Sequence, residues 1–459
     1  MPYTPPLSVS SRRHAALLLG LGVALMLVAL WLTPERVGRA GLTAAVVRFE
    51  VALLVLGAIL LGVGLVRLIQ PGKAVAIVLA CGCFLLGFYR VYFARAYPRN
   101  LLAQPARLAE AWHVLTGQDL ALGAYDPRPM LTLESHEPLR ARFPAVNVHA
   151  HFAKLPVTPA ELFAITDSVG VTKVVNLDGK ESDIRQLRAD FKGRMIVFRH
   201  LWFPEGKIND SYFDTTVARI ERAVPAGARG LKIWKNLGLH TRDSSGKLVH
   251  IDDPRMDPVY AKAGELHVPV MMHVGDALAF FQPLDGHNER YEQLRGGFAW
   301  SIEGQQIADS DAPSQQELVA QFGRAVGKHP GTTFIGAHIL FMGDDLAALG
   351  RLLDEHPNLY VEFCAEVPEL GREPYTARAF FIKYQDRIMF GTDGPGHKYV
   401  GTRNYRVYFR FLETYDEYFD YPFHELTDGG RWKIYGLGLP DSVLRKVYSA
   451  NAEKVIDLR

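Results

Sequence analysis

The stretch "AVNVHAHF", Ala145–Phe152, is an apolar, strand-like run that carries two histidines two positions apart. Side chains at i and i+2 of a strand project from one face, so as a strand this segment brings His149 and His151 to a single point. Two neutral imidazoles meeting there are part of a metal site. A hydrogen-bonded core pair, or chance spacing in a chain with 16 histidines, is the competing reading. The rest of the chain decides between them.

Downstream of Phe143 the pattern becomes regular. Short apolar or β-branched runs follow one another: AVNVHAHF (145–152), VTKVVNL (171–177), MIVFRHLW (195–202), ARGLKIWK (228–235), VPVMMHV (268–274), TTFIGAHI (332–339), NLYVEFC (358–364) and IMFGTD (388–393). Helix signals lie between them. Thr158-Pro159-Ala160-Glu161 and Ser314-Gln315-Gln316-Glu317 read as capping boxes, the first with proline at the first helical position. Eight strands, each followed by a helix, give an α/β fold of the (β/α)8 TIM-like barrel type. An open doubly wound sheet is the alternative, but no glycine-rich phosphate turn follows the first strand.

A barrel places its chemistry at the C-terminal ends of the strands. His149 and His151 end strand one, His273 ends strand five, His338 ends strand six and Asp393 ends strand eight. A lone histidine beside an apolar run is ordinarily a satisfied core residue. Four histidines and an acid at the same end of ordered strands form a metal's ligand set. At the end of strand four, Lys232 and Trp234 share a face by alternation. Lys232 there is a pocket-rim lysine or a contact for an anionic substrate. The irregular segment 276–300 after strand five offers Arg290 as a further anion contact, and the aromatic-rich segment 394–425 is a candidate lid.

In combination, "NVHAHF", "VPVMMHVGD", "FIGAHIL", "IMFGTDGP" and the closing "LRKVYSANAEKVIDL" resemble the amidohydrolase superfamily, in the branch that includes aminocarboxymuconate-semialdehyde decarboxylase. The resemblance covers Phe143 to Arg459. It implies a divalent metal, one Zn2+ with Mn2+ as the alternative, held by His149, His151, His273 and Asp393. It also implies that His338 orients or deprotonates a metal-activated water, with Asp393 as the proton acceptor. Many members carry an aspartate ahead of the histidine pair, where this chain has Asn147. The implied activity is hydrolysis of a small-molecule amide, ester or lactone. Non-oxidative decarboxylation of a carboxylated aromatic or muconate-like acid is the second reading, and a catalytically inactive membrane receptor or scaffold the third.

The N-terminal third has a different character. Three apolar runs, at about 15–32, 50–69 and 74–94, are each long enough to span a bilayer, and Arg12-Arg13 precede the first. They predict an all-α membrane region over residues 1–100, a linker over 101–143 and the barrel over 144–459. The distribution of arginines around the spans places the catalytic part on the cytoplasmic side of an integral, multi-pass protein with the lipid bilayer as a partner. With 51 basic and 49 acidic residues the net charge is +2, which gives no footprint for nucleic acid. Only Cys364 of the three cysteines lies in the barrel, so no disulfide framework exists there.

Overall fold

Eight short strands run parallel in the sheet order β1 to β8, each bonded to the next in sequence. They are β1 Ala145–Ala150, β2 Val171–Gly179, β3 Met195–Leu201, β4 Leu231–Ile233, β5 Val270–Met272, β6 Phe334–Gly336, β7 Leu359–Glu362 and β8 Ile388–Met389. The ring is drawn together where Val148 N–H of β1 donates to the Phe390 carbonyl just past β8, at 2.9 Å. This computed structural model describes residues 129–152, 157–295, 307, 311–394, 401–422 and 430–459. The barrel belongs to a unit spanning Thr132–Arg459.

A helix follows each strand: α1 Pro159–Val169, α2 Ile184–Asp190, α3 Asp210–Ala226, α4 Asp257–Glu265, α5 Gln315–Lys328, α6 Leu346–Glu355, α7 Pro374–Lys383 and α8 Gly401–Glu413. One of the two capping boxes read from the sequence forms in full, and of the second only the Ser314 half forms. The Thr158 side chain accepts from Glu161 N–H while Glu161 reaches back to Thr158 N–H, and α1 ends at Gly170 with a left-handed φ of 77°. Ser314 accepts from Glu317 N–H at the start of α5.

Strand alternation divides the buried residues into two populations. Val146, Val175, Leu177, Ile196, Phe198, Met271, Ile335, Tyr360 and Met389 form one cluster, joined by Ala452, Ile456 and Leu458 from the C-terminal segment. A larger cluster fills the layer between strands and helices. Packed side chains therefore fill the barrel, and chemistry is confined to its ends. Cross-strand register sets His200 of β3, Lys232 of β4 and Met271 of β5 in one row.

Two strands are shorter than their apolar runs suggest. β6 stops at Gly336, and His338, Ile339, Leu340 and Phe341 follow with φ of 54°, 45°, 61° and 51°. β8 stops at Met389, and Asp393 has φ 55°. Left-handed backbone at a residue other than glycine costs about 1–2 kcal/mol, and such strain gathers at functional sites.

The membrane assignment is corrected. The three apolar runs lie outside the described residues. Among the described residues no helix is long and apolar enough to cross a membrane. The longest helix of the barrel, α3, has 17 residues and carries Asp210, Asp214, Arg219, Glu221 and Arg222, which suits a half-solvated surface and not hydrocarbon. A multi-pass, cytoplasm-facing membrane protein with a bilayer partner is therefore not retained.

Candidate metal centre

At the C-terminal mouth, β1 and the segment after β8 are fastened together by Asn147. Its Nδ2 lies 2.8 Å from Thr392 Oγ1, 2.7 Å from the Gly394 carbonyl and 2.9 Å from the Tyr405 hydroxyl, and its Oδ1 accepts from Thr392 N–H at 3.2 Å. This strut sets Asp393 beside the histidine pair. The register of β1 slips between Asn147 and Ala150. Around that slip His149 and His151 turn their rings to a common point.

His149 Nε2 and His151 Nε2 stand 3.2 Å apart. Asp393 Oδ1 lies 3.4 Å from the first and 3.6 Å from the second. The opposite ring nitrogens are both committed. His149 Nδ1 faces Glu362 Oε1 at 2.7 Å, and His151 Nδ1 faces Asp178 Oδ1 at 2.7 Å. A carboxylate can only accept, so each histidine carries its proton on Nδ1 and presents a bare lone pair at Nε2. Three acceptors then confront one another with no proton between them, an arrangement that a divalent cation would satisfy. Ligands at 2.0–2.1 Å around a tetrahedral ion are separated by about 3.3–3.4 Å. The observed triangle matches that spacing, and the donor set of two imidazoles and a carboxylate suits a divalent ion of the zinc type.

Burial favours the neutral form of His149, His273 and His338. Burial holds His149 well below the ordinary histidine pKa even with Glu362 at its Nδ1, and Lys232 pushes the same way. His273 and His338 are lowered well below that range by burial first, then by Lys232 and His273 respectively. A neutral imidazole is the form that binds a metal. Burial raises the Asp393 carboxyl against the pull of His151 and Lys232; its side chain is still 40% exposed, so the rise is smaller than full enclosure would give.

The remaining residues singled out in the sequence lie around this trio. His338 donates from Nδ1 to the Cys364 carbonyl at 3.0 Å, which leaves Nε2 as its acceptor. Its ring centroid is 4.8 Å from that of His149 and 4.5 Å from that of His273. His273 stands beside the trio without joining it in one group; it is buried, with Nε2 3.9 Å from Asp276 Oδ1 and the Gly275 backbone also against the ring. Trp234 packs between His151 and His273, with centroids at 6.0 and 5.0 Å. Lys232 is wholly buried and its Nζ has no hydrogen-bond partner. Burial lowers its pKa, opposed by Glu362 and Asp393. His200, in the same row, is lowered to about 4 by burial. Arg290 is engaged by a buried acid: its guanidinium pairs with Glu369 and bonds Gln293 at 3.2 Å.

Glu362 and Asp178 were missed in the sequence. Each is an acid at the C-terminal end of a core strand, the same signal that marked the histidines.

The model of the amidohydrolase family matches residues 196–458. The chain belongs to the amidohydrolase family. The match begins within β3, so the histidine pair of β1 lies upstream of it and is supplied by the geometry above. The resemblance read from the motifs of this amidohydrolase thus holds at the family level. No curated protein matches the chain. Among solved structures, 2,6-dihydroxybenzoate decarboxylase from Rhizobium aligns with a TM-score of 0.43 and 13% identity over 68% of this chain and 98% of its own. 5-Carboxyvanillate decarboxylase from Sphingomonas paucimobilis gives 0.42 and 12% over 70% and 100%. 4-Oxalomesaconate hydratase from Rhodopseudomonas palustris gives 0.41 and 13% over 68% and 96%.

Proposed function

We propose that this amidohydrolase is a metal-dependent hydrolase of a small molecule with an amide, ester or lactone bond. The observation that carries the reading is the triangle of His149 Nε2, His151 Nε2 and Asp393 Oδ1, three acceptors 3.2–3.6 Å apart with no donor among them. One Zn2+ ion, with Mn2+ as the alternative, fits between them, and the buried His273 beside them is the fourth ligand in this reading. Such an ion supplies Lewis acidity toward water and toward a substrate carbonyl.

The chain's own residues supply the rest. Asp393 keeps a second carboxylate oxygen, which takes a proton from the attacking water and returns it to the leaving nitrogen or oxygen. His338, neutral and with Nδ1 tied to the Cys364 carbonyl, accepts a hydrogen bond at Nε2 and orients the water. Trp234 forms an apolar wall against which a substrate packs.

A second reading is favoured by Lys232. A wholly buried ammonium with no hydrogen-bond partner is costly unless a ligand brings the opposite charge, which suits a carboxylated substrate and loss of carbon dioxide from it. Metal analysis of purified protein, followed by parallel screens for acid release from esters, lactones and amides and for carbon dioxide release, tests both. Bound zinc or manganese with metal-dependent acid release supports hydrolysis; carbon dioxide alone supports the second reading. A protein that holds no divalent ion and stays inactive after zinc or manganese is added overturns both.

A further inference from the structure

The strand-seven run "NLYVEFC" attracted no functional reading in the sequence, yet it supplies the whole backing of the two inner histidines. Glu362 and Cys364 are both fully buried. Glu362 Oε1 accepts from His149 Nδ1 at 2.7 Å and from His338 backbone N–H at 2.8 Å, and Oε2 accepts from Cys364 N–H at 2.8 Å. Cys364 Sγ lies 3.2 Å from Nδ1 of both His149 and His338, and the Cys364 carbonyl takes the His338 Nδ1 proton. One carboxylate with three donors thus joins β1, β7 and the left-handed turn that follows β6.

We infer that Glu362 is a positioning residue that couples the metal ligand His149 to His338. The inference rests on the metal reading proposed above. The charge of Glu362 fixes the proton of His149 on Nδ1, aims the Nε2 lone pair at the trio and makes that nitrogen a better donor to a metal. The same oxygen holds the backbone N–H of His338, where φ is 54° and the turn would otherwise relax. A strained turn needs surroundings that fix it. Movement of Glu362 therefore disturbs ligand and water-orienting residue together.

The competing assignment for His149, His338, Glu362 and Cys364 is a second ion among four buried side chains. The His149 Nδ1 to Glu362 Oε1 distance of 2.7 Å argues against it. That is a charge-assisted hydrogen bond, shorter than the roughly 3.3 Å separating two ligands of one ion.

Two measurements test the coupling. In 15N-histidine NMR of the metal-free wild-type protein, His149 is expected as the Nδ1–H tautomer; the Nε2–H tautomer would overturn the inference without any variant. In chelator competition with Zn2+, Glu362→Gln is expected to bind the metal about 10–100-fold more weakly, with kcat reduced and KM little changed. The glutamine amide faces the Cys364 N–H, so thermal unfolding of the metal-free variant is recorded alongside, and if it does not fold the NMR result stands as the test. Cys364→Ala is expected to keep wild-type zinc stoichiometry and an affinity within about twofold. Loss of one ion per chain in Cys364→Ala would establish the second-ion site and sink the positioning role, as would wild-type zinc affinity in Glu362→Gln. A wild-type protein that binds no divalent ion is the distinct failure of the metal reading itself.

Discussion

Gly391 sits between β8 and Asp393, and a methyl group added there probes the site through Glu362 and the Cβ of His149. A Cβ at this position would lie 2.6 Å from Glu362 Oε2 and 3.1 Å from His149 Cβ. The glutamate cannot simply withdraw, because its oxygens hold His149 Nδ1, His338 N–H and Cys364 N–H at 2.7–2.8 Å. Either a buried hydrogen bond to the charged group breaks, at about 1.5–3 kcal/mol, or the overpacked cluster shifts, at about 1–3 kcal/mol. Gly391 has no left-handed φ, so alanine also restricts the unfolded chain and returns about 0.4–1 kcal/mol. The net expectation for Gly391→Ala is a loss of about 1–2 kcal/mol, read as a lower urea midpoint at unchanged slope. Zinc affinity is expected to fall about tenfold in the same variant, the lower end of the range for disturbed outer-shell partners. A variant as stable as the wild type, with unchanged zinc affinity, would show that Glu362 is not pinned as described.

Lys232→Met is expected to stabilise the metal-free protein by about 1–3 kcal/mol, because a buried unpaired ammonium is replaced by an apolar chain of similar length. The folded amine has a pKa below its usual 10.5, so the unfolded chain binds the extra proton and wild-type stability rises as pH climbs toward 10.5. The gap between variant and wild type therefore narrows over that range in urea titrations at stepped pH; a gap that widens refutes the unpaired amine. Asp178→Asn removes the acceptor charge behind His151 and is expected to weaken zinc binding about 10–100-fold in chelator competition, with little change in the metal-free melting curve. Thr158→Ala deletes the α1 cap and is expected to cost about 1 kcal/mol by chemical denaturation, with zinc affinity untouched; a change in affinity would tie α1 to the metal site.

The alternation of apolar runs with capped helices was enough to read the barrel, because each strand and each cap is a local pattern. Thr158, Glu161 and Ser314 act as their spacing implies. The ends of β6 and β8 were less legible: "GAHIL" and "FGTD" look like continuing strand, but at His338 and Asp393 the backbone turns left-handed to present the side chains. No propensity records such strain. His149, His151, His338 and Asp393 could be found because each is an oddity at a strand end. Glu362 and Asp178 are equally odd, yet their partners lie 213 and 27 residues away, and only closure of the barrel reveals the pairing. The partner of Arg290 was hidden for the same reason, since Glu369, whose charge it meets, is 79 positions distant.

The most direct test of a metal centre built from β1 and β8 is anomalous diffraction at the zinc edge from crystals of the full chain grown with Zn2+. One peak bounded by His149 Nε2, His151 Nε2 and Asp393 is the expected result. A peak on the Nδ1 side of His149 among Glu362 and Cys364, or no ordered ion in the mouth of the barrel, would contradict it.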